Sequence, residues 1–338
     1  MNKTFIIAEL SANHNHNLKT AIDSIRAAAE IGVDAVKIQT YTADTITLDC
    51  HKDDFLIKGG LWDGYTYYSL YKEAYTPWEW HKELFKVARE EGIIMFSTPF
   101  DNTAVDLLES LDNPIYKIAS FEIMDTELIR YAASKGKPMI ISTGIATEQE
   151  IEEAISTCKE VGNNDITLLK CTSAYPAKIE DANLSMIPVM RDRFGVPVGL
   201  SDHSMGSIVP TVAVALGATV VEKHFILDRS IGGPDSGFSM NKDEFAKLVK
   251  DVRAAEASLG NASFKLSEKI KKSRKSGRSL YVAKPIKKGD VVTNDNIRCV
   301  RPGLSLHPRH WKEIVGLRAN RNLEIGDRID QTFFDKKD

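Results

Sequence analysis

VPVGLSDHS (196–204) and ATVVEKHF (218–225) are two short runs, each closing on a polar tail with one histidine, His203 and His224. A buried parallel strand reads as a brief apolar stretch bounded by turn residues, and neighbouring strands lie about 4.8 Å apart. If the two runs are consecutive parallel strands, the two imidazoles leave at one height and can share an ion. A lone histidine on a strand is ordinarily a packed or surface residue; the pair in register is what singles these out. Two histidines leave several positions open to water or substrate oxygen. That suits a labile catalytic ion such as Mn²⁺ or Mg²⁺, with Co²⁺ a further candidate, better than structural zinc. His14 and His16 in SANHNHN are weaker candidates.

Six more runs precede these two: TFIIAEL (4–10), DAVKIQT (34–40), IIMFSTP (93–99), IYKIAS (115–120), PMIISTG (138–144) and ITLLKC (166–171). Amphipathic stretches such as LKTAIDSIRAAAEIG and TEQEIEEAISTCKEVG separate them, each closing on a glycine suited to end a helix. Eight strand-helix units in residues 1–258 predict an α/β TIM (β/α)8 barrel. A doubly wound open sheet is the alternative, and the absence of GxGxxG after the first strand counts against it. In such a barrel, chemistry gathers at the C-terminal ends of the strands.

The rest of the chain departs from this repeat in two places. Residues 42–76, which include KGGLWDGYTYYSLYKEAY, separate the second strand from its helix, and their aromatic content predicts an ordered wall over the barrel mouth. Residues 259–277 read as a linker ending in the basic run KIKKSRKSGR, and residues 278–338 as a small β-rich domain with turn signals KKGD and EIGD. An isolated basic run is usually a solvated surface. The net charge of -3 and pI near 6.3 supply no general attraction to nucleic acid or anionic lipid. The opening MNKTFIIAEL is too short and too polar for a signal peptide, so a cytoplasmic enzyme with no membrane or nucleic-acid partner is expected. Cys50, Cys158, Cys171 and Cys299 form no CxxC pair and read as ordinary reduced residues.

Side chains two apart on a strand share a face, so Ser201 goes with His203 and Glu222 with His224. Lys37 and Lys117 lie inside otherwise apolar strands, where a charge must be paired or used. A cluster of Glu9, Lys37, Lys117 and Glu222 in one barrel mouth meets both demands. Thr98, Ser120, Ser142, Ser173 and Ser201 recur at strand ends; with the two lysines they make a ring fit for phosphate or carboxylate. Singly, each hydroxyl reads as a helix cap. A Schiff-base lysine, Lys117 or Lys170, is the competing chemistry, and it leaves the histidine pair without a purpose.

AELSANHN, VKIQTY, FSTPF, YKIAS, ISTGIAT, KCTSAYP, GLSDHS, EKHF and the late VRPG, in this order along the chain, strongly resemble the sialic acid synthase family. The resemblance implies a TIM barrel followed by an antifreeze-like (SAF) domain, and an enzyme that joins phosphoenolpyruvate to an acylamino sugar. It also implies a homodimer in which the small domain of one chain caps the barrel of the other. AELSANHN in place of AEIGINHN, with GGLWDG and AYTPWEW, resembles the branch that uses 2,4-diacetamido-2,4,6-trideoxy-β-L-altrose.

Residue by residue, the resemblance makes His203 and His224 the metal ligands, and Lys37, Thr98, Lys117, Ser120, Ser142 and Ser201 the phosphoenolpyruvate contacts. Glu9 and Glu122 match carboxylates near the reacting sugar, Arg301 an arginine that reaches its acylamino group, and Asp235 in GGPDSGFS a sugar contact. Tyr175 in KCTSAYP and Glu222 in EKHF join the substrate side. Ser173 stands where one branch carries asparagine, so any contact there is shorter or passes through a water. A non-catalytic carbohydrate- or ice-binding protein is the reading that the antifreeze-like domain alone suggests.

Overall fold

The computed structural model describes residues 3–335. Eight parallel strands close into a barrel: β1 Phe5–Glu9, β2 Ala35–Thr40, β3 Ile94–Pro99, β4 Tyr116–Ile118, β5 Met139–Ser142, β6 Ile166–Cys171, β7 Val198–Asp202 and β8 Val220–His224. Their order around the barrel is their order in the chain, with β8 paired to β1 through Phe5↔Val220 and Glu9↔His224. The α/β barrel expected from the alternating runs is therefore the observed fold.

Strand parity separates two cores. Ile7, Ala35, Phe96, Ile140, Leu169 and Val220 fill the barrel interior. The residues between them, among them Ile6, Ala8, Val36, Ile38, Ile141, Leu168 and Val221, pack outward against the helices. Gly199 faces inward on β7; a Cβ there would meet the Val220 carbonyl oxygen at 2.6 Å and Leu169 Cδ2 at 2.8 Å. The interior is a packed plug, and the polar layer sits above it.

Local signals end the helices where the sequence reading places them. Helix Leu18–Glu30 starts with the Asn17 side chain accepting from the Thr20 amide, buries Ala21, Ile25, Ala27 and Ala28, and is followed by Gly32 at φ +80°. Helix Glu148–Glu160 opens with a reciprocal Thr147 and Glu150 capping box. The stretch 42–76 is ordered, with helices Ala43–Ile46 and Tyr67–Ala74 preceding the helix His81–Glu90 that returns to the barrel. Tyr41, at the end of β2, meets Tyr71 edge-on at 5.6 Å and Phe100 at 5.0 Å, anchoring the insertion.

The chain divides into compact units Met1–Gly260 and Asn261–Asp338. The second has its own core, with Leu280, Val282, Ile286, Val292 and Ile297 among its buried residues. One antiparallel pair, β9 Ser279–Val282 with β10 Ile297–Val300, is supplemented by isolated bridges such as Ile286↔Leu323 and Val291↔Arg318. The segment read as a linker is not structureless: Ser267 caps a helix Glu268–Arg274. That helix buries no residue, so it carries none of the apolar periodicity by which a helix is recognised in sequence. Among the described residues, no helix is long and apolar enough to cross a membrane.

Candidate active site

The polar layer at the C-terminal ends of the strands is built by the same parity that fills the plug. Glu9 stands two residues above Ile7, Lys37 above Ala35, Thr98 above Phe96, Ser142 above Ile140, Cys171 above Leu169 and Glu222 above Val220; all are buried. Lys37 Nζ pairs with Glu9, lies 3.7 Å from Glu222 Oε1 and donates to Thr98 Oγ1 at 3.1 Å. Lys117 Nζ lies 3.8 Å from the same Glu222 oxygen, and its one direct hydrogen bond among the described residues goes to the Ile118 carbonyl. Ser201 Oγ donates toward Glu222 Oε1 at 3.5 Å.

Burial sets the charge balance. It pushes the Glu9 carboxyl up to about 7, with Lys37 pulling it down and Glu222 pushing it further up. Burial also pushes Glu222 up, but Lys117 and Lys37 outweigh it and hold that carboxyl below its ordinary value. Lys117 is lowered, by burial first, with Glu222 partly offsetting. Lys37 is raised, because its two carboxylate neighbours overcome burial. Near neutral pH the layer therefore combines two lysines, a firm carboxylate at Glu222 and a carboxyl at Glu9 poised between its forms.

The histidines close this layer on one side. Asp202 is paired with Lys223 across β7 and β8, which brings His203 level with His224; the ring centroids are 5.3 Å apart. His203 Nδ1 donates to the Thr172 carbonyl at 2.8 Å, which leaves Nε2 as the ring nitrogen that meets Cys171 and would ligate an ion. His224 Nδ1 is buried without a hydrogen-bond partner. Burial first, with the neighbouring His203 ring and Lys37 adding to it, holds His224 well below its ordinary value, in the neutral form that ligates metal. An orphaned nitrogen on His224, beside a second imidazole 5.3 Å away, fits an open two-histidine site. Among the described residues, no group of three or more His, Cys, Asp or Glu side chains is gathered for a metal.

A cavity of about 640 Å³ opens above the layer. Its floor includes His224, Glu122, Asp235 and Ser173, and its walls include Tyr41, Trp62, Tyr71, Phe121 and Tyr175. The insertion supplies Trp62 and Tyr71, so it forms the expected wall. Tyr175 packs on His203 at 4.4 Å, and Phe238 packs edge-on to His224 at 4.9 Å. Burial pushes Glu122 up to about 7 against the pull of Lys117, and its Oε2 has no partner. Asp235 is raised by burial; it accepts from the Ser11 hydroxyl and lies 4.0 Å from His224 Nδ1.

Of the hydroxyls, Ser142 Oγ is buried with no partner, and Ser120 Oγ accepts from the Gly144 amide at 2.9 Å. A Cβ at Gly144 would stand 2.2 Å from Ser173 Oγ and 2.8 Å from Ser120 Oγ, so glycine is required for these serines to converge. Orphaned polar atoms in a buried ring call for a polar ligand.

Other candidates sit elsewhere. Lys170 has the opposite parity and bonds the Cys171 carbonyl and Thr172, away from the layer. His14 bonds Thr76 at 3.2 Å and packs on Trp80, and His16 packs on Tyr75. Arg301 belongs to the second unit, exposed and one residue past β10. The sequence reading underrated Cys171: burial pushes this thiol up, but its hydrogen bond to His203 brings it down to about 7. Its place two residues above Leu169 was the available signal. Ser11, Gln39, Tyr41 and Trp62 were also missed as cavity residues.

Residues 24–264 match the NeuB family, and residues 277–332 match the SAF domain. The protein of Campylobacter jejuni subsp. jejuni serotype O:23/36 (strain 81-176) named pseudaminic acid synthase is 50% identical over 332 residues, 98% of this chain and 97% of its own length. The pseudaminic acid synthase of Helicobacter pylori (strain ATCC 700392 / 26695) is 50% identical over 320 residues, 94% of each chain. Among solved structures, the N-acetylneuraminic acid synthetase of Leptospira borgpetersenii serovar Hardjo-bovis, in complex with citrate, matches with a TM-score of 0.73 and 32% identity, covering 80% of this chain and 90% of that one. With these matches running through the barrel and into the second unit, the chain is an enzyme and belongs to the NeuB family.

Proposed function

We propose that the chain condenses phosphoenolpyruvate with 2,4-diacetamido-2,4,6-trideoxy-β-L-altrose and water, giving pseudaminic acid and phosphate in a metal-dependent reaction. One observation carries the reading: two buried lysines and a ring of hydroxyls lie beside two imidazoles 5.3 Å apart, one with an orphaned ring nitrogen, under a cavity walled by aromatic rings. The relatives that are 50% identical over nearly the whole chain support the choice of sugar.

In this reading, Lys37 and Lys117, with Thr98, Ser120, Ser142, Ser173 and Ser201, hold the phosphate and carboxylate of phosphoenolpyruvate and aim its C3 at the open-chain sugar. His203 and His224 would hold a divalent ion, Mn²⁺, Mg²⁺ or Co²⁺, which supplies Lewis-acid polarisation of the sugar aldehyde. C3 attacks the aldehyde carbon, the carbonyl π pair moves to the oxygen, which takes up a proton to become a hydroxyl, and positive character develops at C2. Glu9, poised near neutral pH beside Lys37, takes a proton from the water that adds at C2. Phosphate then leaves with cleavage of its bond to carbon. Glu122 is the competing base. Tyr175, Glu222 and Asp235 shape the sugar side, and the aromatic wall receives the sugar's methyl and acetamido groups.

The reading extends to a cytoplasmic homodimer in which Arg301 contacts the acylamino group, as the family resemblance implies. The purified protein is incubated with phosphoenolpyruvate, Mn²⁺ and, in parallel, the altrose derivative and the precursors of legionaminic and N-acetylneuraminic acids. Phosphate release with the altrose derivative and an NMR spectrum of pseudaminic acid are expected. Turnover with another precursor alone would reassign the substrate. NMR is required because pseudaminic and legionaminic acids are stereoisomers of equal mass.

A further inference from the structure

One buried ion pair has no part in the chemistry above. Lys223 and Asp202 are 1% and 4% exposed, on the face of β8 and β7 that turns away from the barrel interior toward the helices. Lys223 Nζ donates to Asp202 Oδ2 at 2.5 Å and to the Ser204 carbonyl, while Asp202 Oδ1 accepts from the Ser204 amide at 2.9 Å. The contacts close a loop through the two residues that flank His203. They are anchored on the residue that precedes His224.

The face that β7 and β8 turn toward the helices is mainly apolar, with Leu200 and Val221 on the strands and Val209 and Val214 on the helix that follows β7. Burying two charges there costs solvation that apolar residues of the same volume would not, so stability alone does not explain the pair. Direction does. β7 ends at Asp202, and beyond it the backbone is no longer held by the barrel ladder. On its other side, His203 is fixed by its ring bond to Thr172 and by the Ala177 amide donating to its carbonyl at 3.1 Å. The ladder ends at the pair Asp202↔Lys223, and the Lys223 contacts carry its register one step further, past His203 to Ser204.

We propose that Lys223 is a positioning residue that, with Asp202, clamps the two histidine-bearing strand ends at one height so that both rings address the same ion. The proposal rests on reading His203 and His224 as a metal-binding pair.

The test uses the full chain in three forms: the parent, Asp202→Leu/Lys223→Met, and Asp202→Asn. The double variant replaces the pair with apolar side chains of similar volume and is expected to unfold near the parent temperature. Its Mn²⁺ affinity, read by electron paramagnetic resonance of the free ion, should fall about 10–100-fold, the usual effect of removing a group that orients a ligand. Asp202→Asn keeps an acceptor for the Ser204 amide and removes only the charge that holds Lys223; a smaller loss of affinity in the same direction is expected. A merely structural pair would lower the unfolding temperature and leave the affinity of the folded protein unchanged. Parent-like Mn²⁺ affinity in either folded variant overturns the clamp. If the parent itself binds no Mn²⁺, the metal reading fails instead. The clamp is then judged by the separation of the two imidazoles in metal-free crystal structures of parent and variants: a changed separation supports it and an unchanged one overturns it.

Discussion

Glu9 is the residue on which the proposed chemistry turns, because burial has moved its carboxyl up to about 7 while Lys37 keeps the anion within reach. The anion is the form that accepts a proton from water, so kcat is expected to rise as pH is raised through about 7. Glu9→Gln should lower kcat by about 10²–10⁴-fold, the usual contribution of a positioned base, remove that rising limb, and leave the KM for phosphoenolpyruvate within a few-fold. A rising limb that survives in Glu9→Gln and vanishes in Glu122→Gln would transfer the role, since Glu122 is also raised to about 7. At this scale the sequence was most informative where parity and charge coincide. Lys37, Lys117 and Glu222 were legible because a charge inside an apolar run has few structural uses. Cys171 was not, because an uncharged buried thiol looks like core until its neighbour His203 is known.

The barrel strands are the elements that short apolar runs identified best, and each of the eight lies inside its expected run or within one residue of it. Gly199 shows how tightly the plug beneath the site is built: Gly199→Ala would force a methyl group into the Val220 carbonyl and Leu169. A loss of about 1–3 kcal/mol is expected from such overpacking, read as a lower midpoint in urea. The insertion between β2 and its returning helix was legible as ordered from its aromatic residues, although its pattern fixed none of its helices. Trp62, whose indole donates to the Pro234 carbonyl at 3.2 Å, joins that insertion to the loop bearing Asp235. Trp62→Ala is expected to raise the KM for the sugar by about tenfold or more, the scale of losing one well-packed aromatic contact. The KM for phosphoenolpyruvate should stay near the parent value, and a rise confined to phosphoenolpyruvate would place the wall on the wrong substrate. The helix Glu268–Arg274 was missed because its stability comes from a cap and surface charges, which leave no hydrophobic period.

For the whole molecule, two compact units with separate cores match two family models in the same order. The proposed homodimer places Arg301 and the histidine pair of one working site on different chains. Mixing inactive His203→Ala and Arg301→Ala chains under conditions of subunit exchange should then restore activity toward about a quarter of the parent's, the share of sites that random pairing leaves intact. No recovery in mixtures shown to exchange would confine each site to one chain. The barrel mouth was legible at this scale because strand ends converge by topology, and its aromatic wall from the composition of 42–76, whereas the cavity's size and which rings line it depend on how that long connection packs. In the proposed site His203 and His224 hold one ion beside an anion pocket without a third protein ligand. Anomalous diffraction from crystals soaked in Mn²⁺ and phosphoenolpyruvate locates that ion and its ligands. The predicted map has one Mn²⁺ peak between the two imidazoles, with the phosphate and carboxylate against Lys37 and Lys117; an ion held elsewhere, or one ligated by a third side chain, would contradict it.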